Sequence, residues 1–208
     1  MKPSFAEERA LWAQGYVRLA GVDEAGRGPL AGPVVAGAVV LPVNFRADWL
    51  KMVADSKLLT ATRRDLLFEK LNSDGIGIGV GVVDSRTVDM VGIARATRLA
   101  MKAAVSQVDP APDFLLIDYF RLPEVRLPQK GVVEGDTVCM SVACASIIAK
   151  VTRDRLMNDF DRRYPGYGFA GNKGYGTAEH LESLRRLGAC PIHRRSFQPV
   201  REVCGEEA

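Results

Sequence analysis

Gly21-Val22-Asp23-Glu24-Ala25-Gly26-Arg27-Gly28-Pro29-Leu30 is the stretch on which the reading of this chain turns. It sets two adjacent carboxylates at the end of an apolar run, where charge is costly to keep. Residues 15–22 read as a strand, and Gly26, Gly28 and Pro29 enforce a tight turn into a second apolar run, residues 33–41. Neighbouring strand residues point to opposite faces, so Asp23 and Glu24 meet at one site only if the backbone bends or bulges. A divalent cation, which demands oxygen ligands, is the partner that best holds ionised carboxylates beside a core.

On the N-terminal side, residues 4–14 read as a short amphipathic helix with Phe5, Leu11 and Trp12 inward. On the other side, Pro42 ends the second strand, and residues 55–60 lead into a helix over 62–72 with Leu66, Leu67 and Leu71 on one face. Residues 75–83 read as a further strand. Its glycines, 75, 77, 79 and 81, fall at every second position inside the strand rather than at its exit. They point to close backbone packing, not to a dinucleotide-binding turn.

The spacing predicts a helix over 88–108, with Ile93, Thr97, Ala100 and Ala104 on one face, ended by Asp109-Pro110-Ala111-Pro112. Phe114-Leu115-Leu116-Ile117-Asp118 is a short apolar strand ending in a carboxylate, the design of Val22-Asp23, and Pro123 and Pro128 bracket a loop or edge strand up to Gly135. A long helix is expected from Asp136 to about Arg163, its stripe formed by Val138, Val142, Ala145, Ala149, Thr152, Leu156 and Phe160, with Asp136 as a natural N-cap. Residues 164–177 read as a structured loop, 178–187 as a helix, and the rest as a tail bearing Pro and Arg.

With 208 residues, 47% of them hydrophobic, the chain can bury one substantial core, and a single domain over 1–208 is expected. The first residues lack an apolar signal region, and no apolar run approaches the ~18 residues of a membrane span, so a soluble, cytoplasmic protein without a membrane partner is expected. Nothing in the sequence demands oligomerisation, and a monomer is the expectation. Cys139, Cys144, Cys190 and Cys204 form no C-x-x-C pair and read as free thiols. Net charge is +3, but residues 150–201 carry eleven Lys and Arg against five Asp and Glu. That surplus reads as a phosphate-facing surface, or equally as an ordinary solvated helical one.

Asp23, Glu24, Asp118 and Asp136 each lie at the end of an apolar strand or the start of a long helix, where ligands collect in mixed α/β folds. None shows an evident Arg partner at helical spacing. With no His or Cys nearby in sequence, such a set favours Mg²⁺ or Mn²⁺ over zinc. Two ions ~4 Å apart could activate a water and stabilise the leaving oxygen of a phosphodiester. Buried structural carboxylates are the alternative.

Residues 21–35 resemble the signature of type 2 ribonuclease H, the ribonuclease HII family. The resemblance continues in Asp55-Ser56-Lys57, Ile117-Asp118, Gly135-Asp136, residues 146–154, Tyr164-Pro165-Gly166-Tyr167-Gly168, residues 172–177 and His193-Arg194-Arg195-Ser196-Phe197. It implies an α/β, ribonuclease H-like fold: a mixed five-stranded sheet flanked by helices, with a catalytic core over about 16–163. A helical C-terminal extension over about 164–208 is implied to contribute to substrate binding. It further implies that Asp23, Glu24, Asp118 and Asp136 are the family's four acidic residues, binding Mg²⁺ or Mn²⁺.

By the same resemblance, Gly26-Arg27-Gly28 reads a ribose 2′-hydroxyl through backbone groups, and Tyr175 stacks on the next sugar. Lys57 and Lys150 are candidates for phosphate contacts, with surface solvation the alternative for each. The implied substrates are RNA/DNA hybrids and duplex DNA with embedded ribonucleotides, cut 5′ of the ribonucleotide to leave 3′-hydroxyl and 5′-phosphate ends. The chain departs from the family pattern at Tyr119-Phe120, where Gly-Asn is common, at Glu134, where Lys is common, and at Gly92, where Asn is expected. His193 is read as a packed or phosphate-facing residue, not a catalytic base. The rivals are type 3 ribonuclease H, which carries an extra N-terminal domain for which only about fifteen residues before the first strand leave no room, and a non-catalytic hybrid-binding protein of the same fold.

Overall fold

The computed structural model describes residues 2–205; Met1 and residues 206–208, the ends of the expected domain, lie outside the described residues. The chain forms, in order, α1 (Ala6–Trp12), β1 (Leu19–Ala25), β2 (Val34–Val40), a 3-10 turn at Asp48–Met52, α2 (Ala61–Ser73), β3 (Gly77–Val83), α3 (Ser85–Val91) and α4 (Ile93–Ser106). Then come β4 (Phe114–Asp118), β5 (Gln129–Val132), α5 (Gly135–Val138), α6 (Met140–Arg163), α7 (Phe169–Asn172), α8 (Ala178–Leu187) and α9 (Gln198–Cys204).

The strands make one mixed sheet in the order β3-β2-β1-β4-β5. β1 pairs antiparallel with β2 and parallel with β4; β2 and β3 are antiparallel, β4 and β5 parallel. The expected ribonuclease H-like architecture is therefore present. Apolar side chains alternate through β1 and β2, so each sheet face gathers its own core. Ala20, Val22, Ala36 and Ala38 pack with Ala100, Met101 and Ala104 of α4, whereas Val39 and Leu41 pack with Ala145, Ile147 and Ile148 of α6 and Leu67 and Leu71 of α2.

Glycine in the strands brings the helices close. A Cβ at Gly21 would lie 2.1 Å from the Ser141 carbonyl carbon of α6, and one at Gly81 would lie 1.9 Å from the Ala100 carbonyl oxygen of α4. Three of the four glycines, 77, 79 and 81, are thus close backbone packing inside β3, whereas Gly75 lies before the strand at φ +66° with nothing within 4 Å of a Cβ there.

Several boundaries differ from the sequence reading, and at three places the difference changes the fold. β1 begins at Leu19 and runs through both carboxylates to Ala25, ending only where Gly26 turns to φ +93°. The helix expected over 88–108 breaks at Gly92, whose φ of +77° few L side chains adopt. The helix expected from Asp136 breaks at Cys139, whose backbone is extended, so Asp136 lies inside the short turn of α5 rather than at the N-cap of the long helix. The cap of α6 comes from elsewhere: the buried Glu8 carboxylate of α1 accepts from Ser141 N and Oγ, both at 2.8 Å.

The single stripe expected on α6 is also too narrow. Every residue from Met140 to Ala149 is buried, because the sheet covers one side while α2 and residues 49–59 cover the other. On α2 the inward face is Leu67 and Leu71, and Leu66 is exposed. Residues 164–177 include α7. The cysteines are free thiols, as expected, three of them buried. Among the described residues no helix is long and apolar enough to cross a membrane.

Candidate active site

The β1–β4 ladder ends at Val22↔Ile117, which places Asp23 and Asp118 side by side as the next residues on parallel neighbours. Asp23 points to the α6 face, where Ser146 and Ser56 meet Oγ to Oγ at 2.8 Å, and a hydrogen bond from Ser146 favours its charged form. Glu24 belongs to the opposite face. No bulge redirects it, since the β1–β2 register is unbroken through Ala25↔Val35. The β1–β4 pairing ends at Ile117, and the longer Glu24 side chain still brings its carboxylate to the other two. Ligand oxygens of Asp23, Glu24 and Asp118 then lie within 4.8 Å of one another.

Asp136 is not brought into that group. It stands beside it, buried, with Oδ2 3.8 Å from Lys57 Nζ. Its helix is nonetheless tied to the site, because Gly135 N donates to Asp118 Oδ1 at 2.7 Å.

Like charges crowded out of water oppose ionisation. Burial, then the charges of Glu24 and Asp118, raise the Asp23 pKa well above the ordinary carboxylate value. Glu24 is raised by burial against the opposing pull of Arg27, and Asp118 by burial against the Gly135 N–H bond. Asp136 is raised by burial against the opposing charge of Lys57. Burial pulls the Lys57 ammonium down, but Asp136, Asp55, Asp23 and Asp118 outweigh it and raise its pKa.

Glu24 does have an arginine three residues on: Arg27 Nη1 is 3.4 Å from Oε1, and the same guanidinium sits 4.8 Å over the Phe120 ring. That pair corrects the expectation of no Arg partner. The other oxygen, Glu24 Oε2, is buried without any hydrogen-bond partner. An orphaned carboxylate oxygen among three converging acids fits a hard divalent cation and its oxygen-ligand chemistry.

The carboxylates open into a cleft of about 310 Å³ that also takes in Gly26, Arg27, Gly28, Lys57, Lys150 and Tyr175. Every residue singled out in the sequence except Asp136 lines it. A larger cleft of about 730 Å³, between α1 and residues 44–51, has Asp48 as its one acid. Lys150 Nζ bonds Asp154 Oδ1 at 2.8 Å at the cleft wall. The Tyr175 ring is half exposed and faces Gly28, where a Cβ would lie 3.8 Å from its Cε1.

Two residues that the sequence reading counted into a phosphate-facing surface are buried instead. Arg153, on α6, donates to the carbonyls of Pro33, Lys173 and Ala31. Arg194 spends all five N–H donors on the carbonyls of Gly26, Arg27, Pro29 and Gly32, at 2.5–3.1 Å. These two, with Ser56, Ser146 and Phe120, are site residues that sequence reasoning missed. They lie inside or beside the quoted motifs, but nothing in a string of residues marks an arginine as inward-facing. His193 is packed, 2% exposed, with Nε2 3.1 Å from His180 Nε2.

Comparison with known proteins gives the family of the chain and a solved structure of like fold. The sequence model described as Ribonuclease HII matches residues 20–200. A ribonuclease HII from Dehalococcoides mccartyi is 57% identical over 201 residues, covering 97% of this chain and 95% of that protein. Another, from Desulfitobacterium hafniense, is 53% identical, covering 94% and 74%. The crystal structure of ribonuclease H2 from Pyrococcus horikoshii OT3 superposes with TM-score 0.74 at 28% identity, covering 89% of this chain and 96% of that one.

Proposed function

The chain belongs to the ribonuclease HII family, a metal-dependent ribonuclease H, and on that premise we propose that it cleaves the RNA strand of RNA/DNA hybrids and nicks duplex DNA 5′ of embedded ribonucleotides. Products carry 3′-hydroxyl and 5′-phosphate ends. The observation that carries this reading is the convergence of Asp23, Glu24 and Asp118 beside the orphaned Glu24 Oε2.

Asp23, Glu24 and Asp118 would hold Mg²⁺ or Mn²⁺, with Asp136 beside them as the fourth acid. When bound, a pair of such ions lowers the pKa of the attacking water and stabilises charge at the scissile phosphate. The protein's own part is orientation. The Glu24 N–H, 2.7 Å from Asp23 Oδ1, fixes the Asp23 rotamer, and Gly135 N fixes Asp118. The glycines of 26–28 let backbone approach a ribose, whose 2′-hydroxyl is the handle that separates RNA from DNA. Tyr175 stacks on the next sugar, and Lys57, Lys150 and Arg27 meet phosphates.

In this reading residues 16–163 are the catalytic core and 164–208 an extension that completes the substrate cleft, in a cytoplasmic monomer. The test is a duplex DNA carrying one ribonucleotide, incubated with and without Mg²⁺ or Mn²⁺. A single metal-dependent nick 5′ of the ribonucleotide is expected. Binding without cleavage in either metal would overturn the enzyme reading in favour of a hybrid-binding protein.

A further inference from the structure

Two consecutive residues of the tail reach opposite walls of the cleft. The tail segment pairs with residues 30–32 through the Ala31↔His193 bridge, with Gly32 N donating to Ile192 O and Arg194 N to Leu30 O, both at 2.8 Å. Side chains at successive positions of such an extended segment leave in opposite directions.

Arg194 goes to the glycine loop. Its grip on the carbonyls of Gly26 and Arg27 turns those peptide planes inward. In a trans peptide the following N–H points the other way, so the amides of Arg27 and Gly28 face outward. Among the described residues no backbone or side-chain group accepts from either amide.

His193 goes to the Tyr175 side. Cys190 N–H donates to His193 Nδ1 at 3.0 Å, which leaves the proton of the neutral ring on Nε2. That Nε2–H points at His180 Nε2, 3.1 Å away, and His180 Nδ1–H donates to Tyr175 O at 2.8 Å. One tautomer arrangement satisfies the whole relay, enclosed by the rings of Tyr167 and Phe169. Leu30 N, donating to Gly174 O at 2.8 Å, closes the frame between the two walls.

We propose that His193 and Arg194 are positioning residues that jointly fix the spacing between the Gly26–Gly28 backbone and the Tyr175 ring, and that this spacing sets the preference for a duplex bearing a 2′-hydroxyl. The proposal rests on the reading that the glycine loop senses the ribose and Tyr175 stacks beside it. Neither residue touches substrate. One rigid backbone unit carries both contacts, so loosening either wall widens the slot.

The experiment compares binding, in EDTA, to two duplexes of identical sequence, one all DNA and one with a single ribonucleotide, together with steady-state cleavage of the second in Mg²⁺. His193→Leu and Arg194→Lys are expected to lower the ribonucleotide preference about tenfold, the scale of one lost buried hydrogen bond, carried in KM more than kcat. Affinity for the all-DNA duplex stays the same. His193→Gln, which keeps an amide donor towards His180, restores the preference.

A preference that persists in folded His193→Leu and Arg194→Lys, with only thermal stability reduced, overturns this proposal alone. A wild-type protein without preference overturns the ribose-slot reading and this proposal with it. If Arg194→Lys does not fold, the two His193 variants decide.

Discussion

Lys57 Nζ stands 3.8 Å from Asp136 Oδ2 at the cleft, beside the three acids that converge. The lysine side chain is 78% exposed, so the pair contributes little to folding. Lys57→Met is expected to change stability by less than about 1 kcal/mol. If Lys57 meets a phosphate, the same variant lowers the slope of log affinity against log salt by about 0.9. An unchanged slope in a salt titration of duplex binding removes Lys57 from the substrate contacts.

Asp23→Asn separates site from scaffold. The Asp23 pKa is raised, so its ionised form weakens the metal-free fold as pH rises through the folded-state value, and this strain is relieved as pH falls below it. Asparagine keeps the acceptor for the Glu24 N–H and discards the charge. The metal-free variant is expected to melt higher at pH 7 by roughly 2–4 °C, equivalent to about 1 kcal/mol at this chain length. Mg²⁺ should raise the melting temperature of the wild type and not of the variant, which has lost cleavage. Calorimetry showing a lower melting temperature for the variant would contradict the like-charge account.

Gly26 and Gly28 should fail differently. A Cβ at Gly26 would lie 2.0 Å from Arg153 Nε on a backbone at φ +93°, so Gly26→Ala is expected to cost about 2–4 kcal/mol of stability. At Gly28 the nearest atom, Tyr175 Cε1, is 3.8 Å away. Gly28→Ala is expected to fold normally and to lose about tenfold or more in kcat/KM on a single ribonucleotide, because the methyl enters the slot. Chemical denaturation of both variants beside a nicking assay separates the two effects.

The histidine pair makes stability sensitive to mild acid. Burial, then the neighbouring His180, push His193 down to about 4 from its ordinary 6.5, and burial lowers His180 as well. A histidine whose folded pKa is depressed binds protons more readily when unfolded. Its stabilising neutrality is complete above about pH 6.5 and is lost as pH falls towards about 4. Urea unfolding between pH 7 and 4.5 should show the wild type losing on the order of 2–3 kcal/mol relative to His193→Gln, which does not titrate. Parallel pH profiles for the two proteins would refute this.

The strands and the acids were legible because their signals are local. An apolar run ending in a carboxylate marks Val22-Asp23 and Ile117-Asp118 alike, and the inward glycines of β3 follow from period two. The breaks at Gly92 and Cys139 were not legible, since the helical pattern continues across both while the backbone turns. The departures at Tyr119 and Glu134 fall on residues with φ of +57° and +52°, conformations more natural to glycine or asparagine, and no neighbouring residue announces them. Of the two devices offered for Glu24, a bend or a bulge, the bulge is absent: the β1–β2 register is unbroken while the β1–β4 ladder ends at Ile117, and where a ladder ends depends on both partners.

By itself the sequence marked the apolar strands and four candidate acids, three of which converge, with their appetite for a hard cation, because alternation along a strand and the chemistry of oxygen ligands are properties of short segments; the class of fold came through the resemblance of its motifs to ribonuclease HII. Only the tertiary structure decided that Asp136 stands beside Lys57, that Arg194 turns away from solvent to grip the glycine loop while Arg153 grips the carbonyls of Ala31, Pro33 and Lys173, and that His193 reaches Tyr175 through His180. A buried guanidinium is tolerated only where carbonyls from distant segments surround it. Arg194 finds its acceptors more than 160 residues earlier in the chain, a separation that folding alone closes.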